Sequence, residues 1–299
     1  MTPLVITIIL NTNHRDDTLE ALASLVGSDY SNHRIIVLDN ASQDGSIKAI
    51  HQAFPDVQII ELEDNRGYAG NNNVGIRTAL TQGADWVFVL NEDTILAPDC
   101  LSQLVEAGER ESRIGIVGPM VYHHSDPGII QSAGGTMDSD WQASHLGQNE
   151  TDHGQFDQPR PVDWVSGCAI LARRKVIEQI GGLDERFFYY FEETEWCLRA
   201  RRHGWIVWHV PQARLWHKGV QLNYNPGPNV TYYSTRNRLL MLSKHHAPIN
   251  AWLVTWMFVL RTLTSWSIKP KWRSMKDHRD AMWQGAVDFL YQHWGMRKI

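Results

Sequence analysis

Short apolar runs alternate with segments of helical spacing over the first hundred residues. The apolar runs predict four strands, at residues 5–10, 34–38, 57–62 and 85–90. Helical spacing predicts three helices between them, at residues 17–26, 46–54 and 72–80. Strands that alternate with helices in this way are typical of an α/β fold with a mostly parallel central sheet flanked by helices.

Polar residues follow each of the four predicted strands. The four polar tips are Asn11-Thr12-Asn13, Asp39-Asn40, Asn65-Arg66-Gly67 and Asn91-Glu92-Asp93. In open α/β sheets, ligands bind outside the carboxyl ends of the strands. We therefore expect the four tips to converge on one crevice.

Beyond the first hundred residues, an irregular segment is followed by a return of regular strand and helix patterns. Residues 123–161 are rich in Gly, Asp, Ser and Gln, which predicts an irregular loop with a short hairpin. Order returns at 162–171, and a helix is predicted from Glu193 to His203, with a short strand at 205–210. We expect one domain over residues 1–240 and a helical, basic extension over 241–299.

Charge is distributed unevenly between these two parts. The net charge of −5 argues against a general nucleic-acid-binding protein. Residues 249–299 contain eight Lys or Arg against three Asp or Glu, so the tail is positive and the remainder is more strongly negative. Such asymmetry suggests a separate role for the tail.

The tail begins with a tryptophan-rich apolar segment. Residues 251–260 give only ten apolar positions, too few for a membrane span. The tryptophans and the basic residues behind them suit an interfacial helix over 249–276 that contacts a membrane surface. Packing against the first domain, or in a homodimer, is the alternative and is equally open.

Cysteine usage and the first residues bear on location. Cys100, Cys168 and Cys197 are far apart and odd in number, which predicts no disulfide framework and no metal-ligand spacing. The first residues lack a basic n-region and are typical of a buried strand. We therefore expect a cytoplasmic protein, with peripheral contact to the inner face of the cell membrane if the tail binds lipid.

The stretch "FVLNEDTIL" ends an apolar run in two carboxylates. Asp93 is the natural ligand there for Mg²⁺ or Mn²⁺, which take one or two carboxylates together with phosphate oxygens and water. Asn91 would add a weaker amide oxygen. A surface turn is the alternative interpretation.

Two more tips offer groups that suit a nucleotide. The Asp39 carboxylate would accept a hydrogen bond from a base N–H or a ribose hydroxyl, or else cap the following helix. The stretch "NRGYAGNNNVG" at 65–75 has small residues that allow a ligand close to the backbone, and amides that both donate and accept. A Gly/Asn turn is its alternative.

A second acidic cluster lies at 192–195, directly after an aromatic run. Neighbouring carboxylates raise one another's proton affinity, which suits a general base. The glutamates also suit a helix N-terminus, with arginines one turn on, and both interpretations hold together. Further along, "RLWHKG" contains His217, either a structural histidine or a ligand, and Lys218, which would face a phosphate.

Taken together, these stretches resemble the inverting family 2 glycosyltransferases, of the rhamnosyltransferase-like kind that build bacterial surface polysaccharide. The matching stretches occur in the family's order over about residues 4–240: "IILNTNHR", "IIVLDNASQDGS", "NRGYAGNNNVGI", "VFVLNEDTIL", "VDWVSGCAILARRKVIEQIGGLDERFFYYFEETEWCLRARRHGW" and "ARLWHKG". The resemblance implies a GT-A fold and a nucleotide-diphospho-sugar donor of the dTDP-rhamnose or UDP-hexose type. The implied acceptor is a hydroxyl of a saccharide or of a polyprenyl-linked sugar.

The resemblance also implies roles for single residues. On the donor side it places Asn11, Asp39, Asn65, Gly67, Asn72 and Glu92. Bordering the transferred sugar it places Trp164, Gly167 and Glu192. The metal ligands that it implies are Asp93, His217 and Asn91, the last in place of the family's commoner Asp. Glu193 takes the position of the catalytic base, which is usually Asp.

These roles imply a single in-line displacement, in which Glu193 takes the proton of the acceptor hydroxyl. The alternative is a catalytically impaired protein on the same fold that binds a nucleotide sugar or a carbohydrate. The replacements at Asn91 and Glu193 motivate that alternative. A nucleotidyltransferase would need a Gly-rich loop with Arg and Lys after the first strand, which "NTNHRDD" does not supply.

Overall fold

The four N-terminal strands form a parallel half of the central sheet. In this computed structural model, which describes residues 2–219, 222 and 225–298, β1 (Val5–Asn11) lies between β2 (His33–Asp39) and β4 (Trp86–Asn91). β3 (Gln58–Glu61) pairs with β2 at the edge. The four predicted strands are confirmed to within one residue at each end.

The other half of the sheet is mixed. Its strands are β5 (Thr94–Leu96), β6 (Ile114–His123), β7 (Ile130–Ser132), β10 (Arg160–Pro161), β11 (Ala169–Arg173) and β12 (Ile206–His217). β11 runs antiparallel to both β4 and β6, and β12 runs parallel to β6. The order is β10-β12-β6-β11-β4-β1-β2-β3, with β5 on β12 and β7 on β6. The predicted parallel arrangement thus holds for β1 to β4, and antiparallel pairing is common beyond β4.

Helices cover both faces of this sheet. They are α1 (Arg15–Val26), α2 (Ser46–Ala53), α3 (Gly67–Thr81), α4 (Cys100–Glu109), α5 (Arg174–Ile180) and α6 (Glu192–Arg202). One core packs α1 and α4 against the sheet, for example Leu22 and Leu104 with Phe88. The other packs α3 and α6 against the opposite face, for example Ile76 and Trp196. Because both faces are buried, the strands appear in the sequence as continuous apolar runs.

α3 begins five residues before its predicted start at residue 72. The glycines and asparagines of 67–73 have low helix propensity, which is why the pattern favoured a turn. Packing overrides that preference, since a Cβ at Gly75 would lie 2.6 Å from Cγ2 of Ile8. The glycine therefore lets the helix approach β1 closely.

The middle of the chain contains the predicted short hairpin, formed by β8 (Gly135–Met137) and β9 (Ala143–His145). The predicted strand at 205–210 is longer than expected, since β12 continues to His217. This extension carries "LWH" to the carboxyl edge of the sheet, where Thr94 of β5 pairs with His217.

The C-terminal part is helical, as predicted. It consists of α7 (Pro228–Lys244), α8 (Ile249–Ile268), a 3₁₀ helix (Pro270–Met275) and α9 (Lys276–Leu290). The predicted boundary at residue 240 falls inside α7. This helix contacts both parts of the chain, since it packs on α9 and also bonds to the loop before α6. Within the described residues, no helix is long and apolar enough to cross a bilayer.

Candidate active site

A cavity of about 540 Å³ opens at the carboxyl edge of the sheet, beside the ends of β1 and β4. Polar residues from the strand tips, aromatic residues from the 188–190 loop and residues near the end of β12 surround it. Its lining includes Thr12, His14, Asn40, Asn65, Gly67, Tyr68, Asn91, Glu92, Asp93, Phe188, Tyr189, Tyr190, His217 and Tyr233. All four polar tips thus contribute lining residues to one cavity, the second through Asn40.

Asp93 and His217 come together because β5 pairs with the end of β12. Oδ1 of Asp93 lies 3.1 Å from Nε2 of His217. Burial alone would raise the pKa of Asp93, but the neighbouring imidazole of His217 outweighs it and holds this pKa below its usual value. Asp93 is therefore an anion at neutral pH.

Gln131, at the centre of β7, orients the histidine from behind. Nδ1 of His217 lies 2.9 Å from Oε1 of Gln131, and the pair is buried. An amide oxygen only accepts, so Nδ1 carries the proton in this bond. Nε2 then faces Asp93 and the cavity. Sequence reasoning missed Gln131, which is 86 positions away from His217 and belongs to no motif.

The residues around Asp93 fit a divalent cation. Oδ1 of Asn91 is buried and has no hydrogen-bond partner among the described residues. A Cβ at Gly219 would clash with Oδ2 of Asp93, so the glycine leaves this carboxylate accessible. Carboxylate and amide oxygens are suitable ligands for Mg²⁺ or Mn²⁺, and an imidazole nitrogen favours the transition metal Mn²⁺ over the harder Mg²⁺. No group of three His, Cys, Asp or Glu in the described part of the chain forms a complete metal site, so phosphate or water oxygens would complete the shell.

Asn11 and Asp39 lie behind the cavity wall. Both are buried, and Nδ2 of Asn11 donates to Oδ1 of Asp39 at 2.8 Å. Asp39 also accepts from the backbone N–H of Ser42, and it does not cap α2, whose N-cap is Gly45. This pair joins the ends of β1 and β2. Neither side chain lines the cavity, so direct contact of either with a nucleoside stays a prediction.

The other donor-side residues divide in two. Asn65 and Gly67 line the cavity, and Oδ1 of Asn65 accepts the backbone N–H of Gly67. Gly67 has φ of +71° and lies against the carbonyl of Phe188, where a Cβ would clash. Asn72 is buried inside α3 and donates to the carbonyl of Tyr68, so the structure places it behind the wall.

Glu192 and Glu193 begin α6. Burial, together with neighbouring Glu193, raises the pKa of Glu192 well above its usual value. Burial also raises the pKa of Glu193, but the Thr194 hydroxyl donates to its carboxylate at 3.1 Å and favours the charged form. Of this coupled pair, Glu192 keeps its proton and Glu193 ionises first.

A short chain of contacts connects Glu193 with the Asp93 side of the site. The backbone N–H of Asn91 donates to the carbonyl of Cys168 at 2.9 Å. The preceding residue, Gly167, lies against the Glu193 side chain, since a Cβ there would be 3.2 Å from Cγ of Glu193. Burial raises the pKa of Cys168 to about 12, and both Asp93 and Glu193 add to that rise. The strand end that precedes Asp93 and the Glu193 side chain therefore contact adjacent residues, Cys168 and Gly167. Neither Glu192 nor Glu193 is among the residues that line the cavity.

Gly167 and Trp164 differ in how they relate to the cavity. The carbonyl of Gly167 accepts the hydroxyl of the cavity residue Tyr68 at 2.6 Å. Trp164 is a core residue instead, packed edge-on against His145 with 4.6 Å between ring centroids. Trp164 does not line the cavity, so its predicted contact with the sugar is not seen there.

Lys218 does not face an open phosphate position. Its ammonium group pairs with Asp17 and Glu20 of α1 instead.

Four aromatic side chains, called the aromatic wall below, line part of the cavity. Phe188 stacks on Tyr233 with 5.6 Å between ring centroids, and Tyr189 and Tyr190 complete the wall. Such rings suit the C–H faces of sugars and the faces of nucleobases. The aromatic run was noted in the sequence, but the contribution of Tyr233 from α7 was missed because it is distant in the chain.

An acidic strand tip beside a histidine, at the carboxyl edge of a mixed sheet, agrees with the GT-A glycosyltransferase fold that the sequence resembles. Two solved structures share this fold. A mannosyltransferase from Pyrobaculum calidifontis, in complex with GDP-Man and Mn²⁺, gives a TM-score of 0.62 at 16% identity over 98% of this chain and 88% of the other. GalNAc-T7 with UDP, GalNAc and Mn²⁺ gives 0.64 at 14% identity over 98% and 59%.

The sequence comparisons place the protein more closely. Residues 5–181 match the profile of glycosyl transferase family 2, and the chain belongs to this family. It is 28% identical over 252 residues to the N-acetylglucosaminyl-diphospho-decaprenol L-rhamnosyltransferase of Mycobacterium tuberculosis, covering 76% of this chain and 81% of the relative. It is 24% identical over 255 residues to the dTDP-rhamnosyl transferase RfbF of Shigella flexneri, covering 82% and 83%. The predicted family and fold are confirmed, and the protein is a glycosyltransferase.

Proposed function

We propose that the protein transfers a rhamnosyl or hexosyl group from a nucleotide-diphospho-sugar to a hydroxyl of a saccharide or lipid-linked acceptor, with inversion, in the synthesis of a cell-surface polysaccharide. The names of two relatives support rhamnose as the transferred sugar, and one of them supports a dTDP-linked donor. A further relative, Agl10 of Haloferax volcanii, is a hexosyltransferase and supports the broader sugar class.

The observation that supports this function best is that the strand end before Asp93 and the Glu193 side chain contact adjacent residues, Cys168 and Gly167. Asp93 lies on the side where β4 ends, and Glu193 lies on the side of Gly167. An inverting transfer needs a countercharge at the diphosphate and a base on the opposite face of the sugar. Asp93 is proposed to provide the countercharge through its cation, and Glu193 the base.

Glu193 is the proposed base. Its neighbour Glu192 retains a proton, so Glu193 is the carboxylate that is free to accept one. It would take the proton of the acceptor hydroxyl while the oxygen attacks the anomeric carbon. The bond to the diphosphate breaks on the other face, and the configuration at that carbon inverts.

Asp93, His217 and Asn91 would hold the cation. When bound, Mg²⁺ or Mn²⁺ neutralises charge on the diphosphate. The protein's own part is to hold an ionised Asp93 opposite a histidine whose ring is fixed by Gln131. The aromatic wall is proposed to hold the acceptor or donor ring and to exclude water.

A donor screen tests the proposal. We expect thermal stabilisation by dTDP-rhamnose or a UDP-hexose in the presence of Mn²⁺, and loss of that shift in Asp93→Asn. Glu193→Gln should keep the stabilisation and lose most turnover, about a hundredfold or more, since general bases contribute on that order. Asp64→Asn, at an exposed position outside the cavity lining, is the matched control. Near-normal turnover in Glu193→Gln would contradict the assignment of the base.

The alternative is a binding protein without transfer activity. It is motivated by Asn91 and Glu193, which stand where the family more often has Asp. In that case the wild-type protein binds the donor in the same thermal assay, but neither transfer nor slow hydrolysis of the donor is observed with Mn²⁺. Measuring both activities therefore separates the two functions.

A further inference from the structure

α8 exposes a row of apolar side chains. The α8 stripe is Ile249, Leu253, Met257, Leu260 and Ile268, whose side chains are between 56% and 74% exposed. Their spacing, at i, i+4, i+8, i+11 and i+19, places them on one face of the helix. Of the thirteen large hydrophobic side chains that are exposed among the described residues, six belong to α8.

The opposite face of α8 already serves the protein's own core. Val259 packs with Leu239 of α7 and Met282 of α9, and Thr255 is buried beside them. Trp252 and Trp256 pack on the same cluster. The α8 stripe is therefore not needed to hold α8 against α7 and α9, and it is available for an external partner.

The segment that carries the stripe is uniformly cationic. Residues 249–276 contain no Asp or Glu. Their five cations, all exposed, are Arg261, Lys269, Lys271, Arg273 and Lys276. A groove between the end of α8 and the 3₁₀ helix is lined by Leu260, Arg261, Ile268, Lys269 and Lys271. This groove therefore places apolar side chains of the α8 stripe directly beside three of the five cations.

We propose that the α8 stripe and these five cations bind the surface of an anionic lipid bilayer, with α8 lying parallel to it. Apolar side chains would enter the boundary of headgroups and acyl chains, and the cations would face lipid phosphates. A second copy of the chain fits less well, because a two-fold contact presents the same cationic surface from both sides.

α7 connects the active-site cavity with the buried face of α8. α7 carries Tyr233 at the cavity and Leu239 against α8. Six residues of helix separate them, which is about 9 Å along the axis. The arrangement suits a lipid-linked acceptor, but lipid binding is measured without donor or acceptor and does not depend on the proposed transfer.

Vesicle co-sedimentation of the full chain tests the proposal. Vesicles of phosphatidylglycerol mixed with phosphatidylcholine are compared with vesicles of phosphatidylcholine alone. We expect binding to the anionic vesicles at low salt, weaker binding to the neutral ones and a decrease as salt is raised. Failure of the wild-type protein to sediment with anionic vesicles at low salt would overturn the proposal.

Two triple variants separate the apolar and ionic contributions. Leu253→Ser/Met257→Ser/Leu260→Ser should weaken binding at least about tenfold. Lys269→Gln/Lys271→Gln/Arg273→Gln should weaken it about a hundredfold on anionic vesicles. The matched control, Arg34→Gln/Lys48→Gln/Lys175→Gln, removes the same charge from exposed positions outside this face and should bind like the wild-type protein.

The alternative, that a second copy of the chain covers α8, is tested in parallel. Light scattering gives the oligomeric state of the wild-type protein and of the triple serine variant. A dimer that the serine variant converts to monomer, together with unchanged vesicle binding by both triple variants, would show that α8 is a contact between copies and would overturn the lipid proposal. Thermal unfolding of each variant shows that it is folded, which these exposed positions should allow.

Discussion

The side-chain nitrogen of Asn237 lies 2.7 Å from the carbonyl oxygen of Phe187. The same nitrogen donates to the carbonyls of Tyr189 and Tyr190 at 2.8 and 2.9 Å. Arg236 beside it is fully buried and donates to Phe187 as well. Two buried residues of α7 therefore hold the loop that carries the aromatic wall of the cavity.

This loop needs such support because its backbone is unusual. Phe188, Tyr190 and Phe191 have φ of 62°, 70° and 73°. Left-handed conformations of side-chain-bearing residues cost roughly 1 kcal/mol or more each. The hydrogen bonds from α7 offset this cost, so the C-terminal helices belong to the active site as well as to the extension.

Asn237→Ala should lower both stability and acceptor recognition. It removes one donor shared by three carbonyls of this loop, of which that of Phe187 keeps Arg236, so we expect the free energy of unfolding to fall by about 1–3 kcal/mol. We also expect KM for the acceptor to rise about tenfold, more than kcat falls, because the aromatic wall loses its position. Urea unfolding and steady-state kinetics measure the two effects.

Asn250→Ala is the matched control. Asn250 also donates to a backbone carbonyl, that of Ser139, but it is exposed and distant from the wall. Its change should stay within about 0.5 kcal/mol and leave KM as it is. If Asn237→Ala is destabilised yet keeps the wild-type KM and kcat per folded molecule, then Asn237 does not position the wall.

Gln131→Ala should weaken metal binding at the proposed Asp93–His217 site without abolishing it. The histidine would lose the bond that orients its ring, and removal of such supporting partners typically costs about 10–100-fold in metal affinity. We expect the Mn²⁺ concentration for half-maximal activity to rise by that factor, with activity restored at high Mn²⁺. Gln52→Ala, at an exposed position on α2, is the control. An unchanged Mn²⁺ titration in Gln131→Ala would argue against the role of this residue.

The strands were predictable because their pattern is local. β1 to β4 are buried on both faces, so each forms a short apolar run that ends in polar residues at the edge of the core. α3 was not predictable over its first turns, since Gly67 and the following small residues favour a turn by propensity alone. Their helical state depends on contacts with β1 and with Phe188, which are distant in sequence.

The site was predictable where a motif marks it. Asp93 and His217 stand in stretches that resemble family motifs, and β5 pairing with β12 brings them together. Asn11, Asp39 and Trp164 have the same kind of motif support, but they are buried and do not line the cavity, so their contacts with the donor stay predictions. Gln131 and Asn237 have no local signal, because their roles arise from hydrogen bonds across the fold.

The rate of transfer should rise with pH through the pKa of Glu193. Burial raises this pKa above the usual value for a glutamate, so the proton remains on Glu193 at a higher pH than in water. Below this pKa Glu193 carries a proton and cannot act as the base, so kcat should fall about tenfold for each pH unit. Glu192→Gln should keep this ascending limb, since Glu192 is already neutral, whereas Glu193→Gln should give a low, flat profile. A limb that persists in Glu193→Gln would assign the titration to another group.

Glu195 anchors α6, and with it Glu193, to α7. The Glu195 carboxylate is fully buried and lies 3.0 Å from Nζ of Lys244 and 3.2 Å from Nε2 of His245. Arg199 bonds it from one turn further along α6. Burial alone would raise the pKa of Glu195, but these partners outweigh it and lower the pKa to about 2.

Because the folded-state pKa of Glu195 is depressed, its stabilisation is present above the ordinary glutamate pKa and is lost as pH falls from there towards 2. At neutral pH the shift corresponds to about 3 kcal/mol. Glu195→Gln should therefore lower the free energy of unfolding by about this amount at pH 7, measured by urea unfolding, and the deficit should shrink as the pH falls below the ordinary glutamate value. Glu178→Gln, which removes a half-exposed partner of Arg174, should cost less than about 1 kcal/mol with little pH trend. A deficit of Glu195→Gln that is constant across this pH range would mean that lost packing, rather than lost charge, is responsible.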